Sequence, residues 1–494
     1  LRERGVSYLV LSKVHLDRTF IYNPDHVDPT NDANTADVEV VADVDPTMLT
    51  LTDAYPVEVF EGAGTGGAHP ALVVIYGRQI APDAVVTITP DNAVKVVATT
   101  VAGDHNFLAL SLEVDDDAVD NDGLLVPLSI AVAQAGGTYH DVLDAKVSVH
   151  HLDALTAVPT GALRERYSQV AITGDWTLGA GPHLAVRAVG SISITGKVNA
   201  NAVGATPGPG GCAGGAIGID GAAQNAETRI CTGRGHAVAG GLLNGGGGGG
   251  AGFVVKGESG ASSGGVGGDA FGTKQVPSFA DAVPSGGGGG AKNTGAGGGA
   301  GGGGGGAVEF TAGGDLAIPM GISAHGGKGT DVTNGGGGGG GDGGVILVRA
   351  GGTTTLGTLD VARGEPGLKT GTGNGVAGGA GSVGRTRVDA TTMIAADYHG
   401  PMFLAPPQIS LDQNTTLAIR GDIGDQTLVG QVYDRDASAV PHGDFSPQVG
   451  GNAQASPPFA LRAGYNKVCV GVAGGNAFTL PESTNCTELA FLPH

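Results

Sequence analysis

One stretch of the sequence, residues 201 to 390, limits what the chain can fold into, because it holds 68 of the 95 glycines. An average protein has roughly 7% glycine. Several of these glycines form unbroken runs of five to seven residues, and a polyglycine run has no side chain to bury. Short apolar segments interrupt the runs at intervals. The stretch is therefore either a flexible linker or a repeat structure.

The apolar segments recur as a unit of three short strands followed by a glycine-rich tract. Copies begin after Gly306, Gly344 and Gly384, which places them 38 to 40 residues apart, and an earlier copy begins at Leu184. A fixed period of strand and turn is typical of a solenoid, in which each rung buries its apolar faces against its neighbours. We therefore predict an all-β fold in which residues 171–390 form a parallel β-helix-like β-solenoid with polyglycine tracts.

The glycine tracts would leave successive rungs at equivalent places, and two interpretations of them remain open. As flexible surface loops, they would avoid the entropic cost of order, which is about 1 to 2 kcal/mol per residue. As extended left-handed helices lying side by side, they could pack closely and exchange backbone hydrogen bonds, because glycine has no Cβ.

The segments on either side of the glycine region have the pattern of β-sandwiches. Residues 71–157 alternate short apolar strands with turn signals such as Pro90-Asp91-Asn92 and Gly136-Gly137. This spacing predicts an Ig-like β-sandwich, although the Cys-Trp-Cys signature of antibody domains is absent. Residues 401–494 are predicted to form a second, C-terminal sandwich that contains a disulfide.

The N-terminal segment, residues 1–61, is predicted to be rich in strands. Its first alternating positions are Val6, Tyr8 and Val10. The segment is short for a core of its own, so its strands are expected to pair elsewhere. They could pair within the chain, or an N-terminal strand could complete the sheet of a neighbouring molecule and so build a fibre.

The charge balance excludes two classes of partner. The formal net charge is −21, and no run of Lys and Arg is present. Nucleic acids and anionic membranes both bind proteins through clustered basic residues, so we expect neither as a partner. No apolar run approaches 18 residues, and we expect no membrane insertion of this chain.

The four cysteines form two local pairs, Cys212 with Cys231 and Cys469 with Cys486. Neither pair has the Cys-x-x-Cys spacing or the nearby histidines of a zinc site. Both pairs are therefore predicted to be disulfides, which indicates an oxidising, extracellular or outer-surface location.

An acidic loop after residue 114 is the densest cluster of oxygen ligands in the sequence. Its carboxylates at Asp115, Asp117, Asp120 and Asp122 are a candidate Ca²⁺ site. The loop does not fit an EF-hand, because Ser129 stands where the bidentate Glu is needed. A solvated hairpin turn is the alternative, and no other cofactor is expected.

No motif in the sequence supports nucleophilic catalysis, zinc catalysis or nucleotide binding. We therefore predict that the protein is not an enzyme. The strongest catalytic alternative is polysaccharide cleavage, because parallel β-helices commonly carry carboxylates and basic residues on one face. The residues that could line up across rungs are Asp331, Asp342, Asp360, Arg349 and Arg363. Carbohydrate clefts usually also present aromatic rings, and the rungs contain almost none.

Ice binding is a third functional class, for which flat threonine arrays and packed glycine bundles are both suitable. Thr353-Thr354-Thr355 is the notable threonine cluster. One triplet does not make an array.

Parts of the sequence resemble known families. The string Gly214 to Gly221, the six glycines after Asn244 and the rung Val345 to Val348 resemble glycine-rich secreted β-solenoid surface proteins of myxobacteria and related predatory bacteria. Ile75-Tyr76-Gly77, followed by Ala84-Val85-Val86, resembles the bacterial Ig-like spacer modules of cell-surface proteins. More distantly, the tracts look like the polyglycine bundles of phage tail-fibre adhesins and glycine-rich antifreeze proteins.

These resemblances imply recognition at the tips of the tracts. Together with the residue patterns, they predict an extracellular structural or adhesive protein. We expect self-association into a fibre or surface layer, or binding to a cell-surface or polysaccharide ligand.

Overall fold

The computed structural model describes most of the chain before residue 392 and the strands of a C-terminal unit. The described residues are 49–65, 68–91, 94–115, 125–164, 166–238, 245–261, 264–270, 283–291, 297–372, 374–392, 400–402, 408–410, 414–415, 418–422, 428–434, 443–445, 453–455, 459–472 and 486–493. They contain strands, one 3₁₀ turn at Ala135–Gly137 and no α-helix. The predicted all-β class is confirmed for this part of the chain.

Eight strands form the first unit. They are β1 (Thr50–Tyr55), β2 (Glu58–Phe60), β3 (Ala71–Arg78), β4 (Val85–Thr89), β5 (Val94–Val101), β6 (Phe107–Val114), β7 (Leu125–Gln134) and β8 (Tyr139–His150). They build two four-stranded sheets, in the orders β1-β3-β6-β5 and β2-β8-β7-β4. Alternate residues of β7, such as Leu128, Ile130 and Val132, are buried in the core between the sheets.

The two-layer unit takes strands from the segment before residue 71. β1 pairs antiparallel with β3, and β2 pairs parallel with β8. Leu51, Ala54 and Val59 are buried in the shared core, which explains why these strands join this unit. The strands between residues 50 and 60 thus belong to this two-layer unit.

The second unit is a coil of parallel strands. They are β9 (Val170–Ile172), β10 (Trp176–Thr177), β11 (Leu184–Ala188), β12 (Ile192–Ile194), β13 (Val198–Asn199), β14 (Ala307–Ala312), β15 (Leu316–Ile318), β16 (Ile322–Ser323), β17 (Val345–Leu356), β18 (Leu359–Asp360) and β19 (Arg385–Thr392). They form three parallel ladders, β11-β14-β17-β19, β9-β12-β15-β17 and β10-β13-β16-β18. The long strand β17 contributes to two of them.

Successive turns of the coil stack in register. Ala307 pairs with Val345, and Val345 pairs with Arg385, which are the first residues of the repeats identified in the sequence. Phe310 and Val348, partners in the same ladder, are fully buried in the core between the three ladders. Each turn therefore covers the apolar side chains of the one before it.

Ten short strands of the C-terminal unit lie within the described residues. They are β20 (Gly400–Met402), β21 (Gln408–Ser410), β22 (Asn414–Thr415), β23 (Ala418–Asp422), β24 (Leu428–Asp434), β25 (Gly443–Phe445), β26 (Ala453–Ala455), β27 (Phe459–Ala460), β28 (Gly464–Val472) and β29 (Cys486–Phe491). The main sheet has the order β21-β29-β28-β24-β25. Two smaller groups of strands, β20-β23-β26 and β22-β27, accompany it.

The C-terminal unit packs on the outer face of the first unit. Leu72 and Val74 of β3 form a buried cluster with Tyr465, Ala490 and Leu492. β3 is therefore buried on both faces, which accounts for its unbroken apolar run.

Candidate functional site

Tract 335–344 runs through the centre of the glycine-rich region. Its backbone N–H groups donate in rotation to three neighbouring tracts, at 284–291, 375–384 and 324–333. Three successive bonds run from Gly339, Gly340 and Gly341 to the carbonyls of Gly288, Gly379 and Gly327, at 2.8, 2.8 and 3.0 Å. A direction that repeats every third residue is that of a polyproline II helix, which has three residues per turn.

The carbonyl groups of the same tract accept from three other tracts, at 297–306, 245–252 and 361–371. Gly339, Gly340 and Gly341 accept from the N–H groups of Gly302, Ala251 and Gly364, at 2.8, 2.9 and 2.8 Å. Tract 335–344 thus has six hydrogen-bonded neighbours. Although its glycines have no side chains to bury, its buried peptide groups find partners, as a protein interior requires.

The close approach of these neighbours requires glycine on every side of the tract. A Cβ added at Gly338, Gly339 or Gly340 would collide with a carbonyl oxygen of three different tracts, at Ala300, Gly249 and Gly364 respectively. This central stretch of the tract therefore needs glycine at each of these three successive positions. In tract 375–384, a Cβ added at Gly375, Gly378, Gly381 or Gly384 would collide with tract 335–344, and a Cβ at Gly379 would collide with the carbonyl oxygen of Glu258.

The length of a glycine run thus indicates the depth of a tract in the bundle. The runs Gly335–Gly341 and Gly245–Gly250 lie in tracts that are surrounded by other tracts, and every glycine of both runs is buried. In the described residues, the tracts are closely packed, extended helices that exchange backbone hydrogen bonds, which is the second of the two interpretations drawn from the sequence.

Outer tracts carry side chains on their solvent side. Along tract 324–333, His325, Lys328 and Asp331 recur every third residue, about 9 Å apart at 3.1 Å per residue. Lys328 Nζ lies 2.6 Å from Asp331 Oδ2, and His325 Nε2 lies 2.5 Å from Asp360 Oδ2. We call the exposed side of tracts 324–333 and 361–371 the charged face.

Asp331 is held in its ionised form by this arrangement. The backbone N–H of Leu368 donates to Asp331 Oδ1 at 2.7 Å, and Lys328 contacts the other oxygen. These two hydrogen bonds lower the pKa of Asp331 below its usual value. The face consequently presents fixed charges of both signs.

The residues of the catalytic alternative lie in different surroundings. Asp331 pairs with Lys328, Asp360 with His325 and Arg363 with Glu258 at 3.0 Å. Arg349 and Asp342, in contrast, are buried. Asp331, Asp360 and Arg363 thus each pair with a residue outside this set of five.

Asp342 is the buried charge of the bundle. Its side chain has no exposed surface. Burial raises the pKa of Asp342 well above its usual value, and the backbone N–H of Ser285 and the charge of Arg385 oppose that shift. Burial lowers the pKa of Arg385 to about 10, and its guanidinium lies 4.4 Å above the ring centre of Phe253.

The threonine triplet does not form a flat surface. On β17, Thr353 and Thr355 are exposed, whereas Thr354 is buried. The alternation of a strand turns the middle residue to the opposite side of the sheet.

Two other predictions concern metal and disulfide sites. Asp115 is exposed, whereas Asp117, Asp120 and Asp122 lie outside the described residues. Within the described part of the chain, no group of three or more His, Cys, Asp and Glu residues could hold a metal ion. Cys212 and Cys231 form a disulfide with a Cα–Cα distance of 6.3 Å.

The second predicted cysteine pair lies in the C-terminal sheet. Cys469 is the register partner of Cys486 in the antiparallel ladder of β28 and β29. The two strands that the predicted bridge would join are thus neighbours.

A cavity of about 590 Å³ lies where the three units meet, and the sequence patterns gave no sign of it. Its walls include the rings of Phe60 and Tyr465 and the side chain of Leu72. Its polar groups are Glu58, Lys467 and Glu488. Contacts between residues some 400 positions apart form this site, so no local motif could indicate it.

Comparisons of the chain with protein-family models, with curated proteins and with solved structures found no match. Among the described residues, no helix has the length and apolar character needed to cross a membrane.

Proposed function

We propose that this chain is an extracellular structural or adhesive protein. In this proposal the coil is a β-solenoid, its excursions form a rigid polyglycine bundle, and an Ig-like sandwich acts as a spacer beside it. The disulfide between Cys212 and Cys231 supports an oxidising location. Self-association of the chain into a fibre is a further part of the proposal.

One observation carries the proposal: tract 335–344 is hydrogen-bonded on all six sides by other tracts. Such a bundle holds the outer tracts in fixed positions without a side-chain core. It therefore displays side chains at regular intervals on a stiff support, which suits the recognition of a repetitive surface such as a polysaccharide.

The adhesive role can be tested by sedimentation. Labelled protein is mixed with insoluble polysaccharides or intact bacterial cells, and the bound fraction is measured in the pellet. We expect binding by the native chain and about a tenfold weaker Kd, or about 1.4 kcal/mol, for the Lys328→Ala, Asp331→Ala variant.

The matched control removes an ion pair from the first unit, in the Lys95→Ala, Glu113→Ala variant, where the charged atoms lie 3.6 Å apart and are also exposed. This control should bind as the native chain does. Absence of native binding to every surface, or release of soluble sugar from the polysaccharides, would contradict the proposal.

A further inference from the structure

Strand β2 has one edge without a strand partner among the described residues. It lies at the end of its sheet and pairs with β8 alone. The carbonyl of Val57 and the N–H of Glu61 both bond to β8. Because backbone groups alternate in direction along a parallel ladder, Glu58 and Phe60 turn theirs to the other edge, where the carbonyl of Phe60 accepts from the N–H of Ala63 at 3.3 Å. An edge of this kind is a template for an added strand.

The cavity at the junction of the three units lies along this edge. Val57, Glu58, Val59 and Phe60 line one side of it, and Lys467 lies among the residues of the opposite wall. Val57, directly before β2, is 55% exposed. The space beside β2 is therefore an open groove with apolar walls and a few charged groups, and its volume lies in the range of ligand sites.

The N-terminal segment of the chain has the composition of a strand that would enter this groove. Val6, Tyr8 and Val10 alternate with other residues, as in a strand that buries one face. Residues 1–18 contain Arg2, Arg4, Lys13 and Arg18 against Glu3 and Asp17, so they are net positive by two charges. The complete chain has a net charge of −21, and the groove holds two carboxylates, Glu58 and Glu488, against one cation, Lys467.

We propose that the groove between β2 and the strands β28 and β29 accepts residues 4–16 of a second copy of this chain. The segment adds to the free edge of β2, with its apolar side chains against Phe60 and Leu72. The donor and the acceptor are different surfaces, so each added copy offers a new groove and the contact continues into a filament. This inference rests on the proposed structural function and names the contact that would build the fibre.

Two defective variants of the complete protein test this contact. Deletion of residues 1–20 removes the donor, and Glu58→Lys places a like charge against the basic segment and blocks the edge. Analytical ultracentrifugation should show concentration-dependent oligomers for the native chain and monomers for each variant alone. Mixed in equal amounts, the two variants should form a dimer that does not grow, because one supplies an intact donor and the other an intact groove.

Thr87→Lys is the matched control, because β4 is the opposite edge of the same sheet and Thr87 is exposed. This variant should assemble as the native chain does, and thermal unfolding checks that both lysine variants are folded. Assembly by the Glu58→Lys variant, or failure of the mixed variants to form a dimer, would overturn the inference.

A native chain that stays monomeric but loses thermal stability on deletion of residues 1–20 would also overturn it, since the segment would then dock within its own molecule. The sedimentation assay on cells separates this inference from the proposed function. Monomeric variants that still bind cells would leave the adhesive role in place.

Discussion

At the scale of single residues, the absence of a side chain is what organises the glycine region. Around Gly339, the neighbouring backbones approach so closely that a methyl group would meet the carbonyl of Gly249. Ordering glycine costs about 1 to 2 kcal/mol per residue. Each hydrogen bond returns about 0.5 to 1.5 kcal/mol net, so such a bundle is stable only where nearly every peptide group is paired.

A pair of alanine substitutions tests this packing. Gly339→Ala should destabilise the bundle by about 1 to 3 kcal/mol, since the added methyl forces backbones apart. Gly297→Ala is the control, because a Cβ at that position meets no atom within 4 Å. It should change stability by less than about 0.5 kcal/mol. Equal melting temperatures for the two variants in calorimetry would contradict close packing at Gly339.

The buried carboxyl of Asp342 makes the stability of the protein depend on pH. Its pKa is raised in the folded state, so the folded protein binds this proton more tightly than the unfolded chain does. The stabilising contribution is complete below the unfolded value of 3.8 and is lost as the pH rises through the folded pKa.

Asp342→Asn should therefore behave as the native chain near pH 4 and melt at a higher temperature than the native chain at pH 7. Asp331→Asn is the control with the opposite sign, because the pKa of Asp331 is lowered. Its effect should be a loss of stability at pH 7 that disappears in acid. A native chain more stable than Asp342→Asn at pH 7 would indicate instead that the charge pair with Arg385 stabilises the fold.

At the scale of strands and tracts, the sequence indicated the rungs well. The runs at Val345–Val348 and Leu316–Ile318 are apolar and β-branched, and their spacing repeats, so their strands and their stacking could be predicted. The arrangement of the glycine tracts around one another could not be predicted. A glycine run has the same residues on every side, and nothing in it specifies which six tracts surround it.

The pairing of strands that lie far apart in the sequence could not be predicted from local residue patterns either. β2 joins β8 across 90 residues, and its three residues give a weak strand signal. Phe253 and Arg385 meet because an excursion of the bundle folds back over the coil. Such contacts follow from the assembled units rather than from any one segment.

The disulfide between Cys212 and Cys231 closes a loop of the long excursion between β13 and β14. The sequence separation is 19 residues, and a loop of about this length corresponds to about 3 kcal/mol of stabilisation. Cys212→Ala with Cys231→Ala should therefore lower the unfolding free energy by about that amount in urea titrations. If the double variant unfolds at the same urea concentration as the native chain, the bridge does not stabilise this excursion.

At the scale of the whole molecule, the three units share interfaces. The N–H of Tyr465 donates to the hydroxyl oxygen of Tyr76 at 2.9 Å, and the Tyr465 hydroxyl donates to Glu488 at 2.8 Å. Burial raises the pKa of Glu488, and Lys467 opposes that shift. The C-terminal unit is thus held against the sandwich by a small polar network inside an apolar contact.

Tyr76→Phe should loosen this interface by about 1 kcal/mol, because it removes the oxygen that accepts from Tyr465. The expected result is faster limited proteolysis of the C-terminal unit while the sandwich stays intact. Tyr139→Phe removes a hydroxyl on β8, away from the C-terminal unit, and should leave the proteolysis rate unchanged. Equal rates for both variants would indicate that the apolar contacts alone hold the interface.

The ordered bundle is the feature on which the other arguments depend, and hydrogen–deuterium exchange tests it most directly. The N–H groups of tract 335–344 donate to three neighbouring tracts, so their exchange should be slowed as strongly as that of β14 in the coil. Exchange in outer tract 324–333 should be faster. If the amides of 335–344 exchange at the rate of an unstructured chain, the tracts are not a packed bundle in solution.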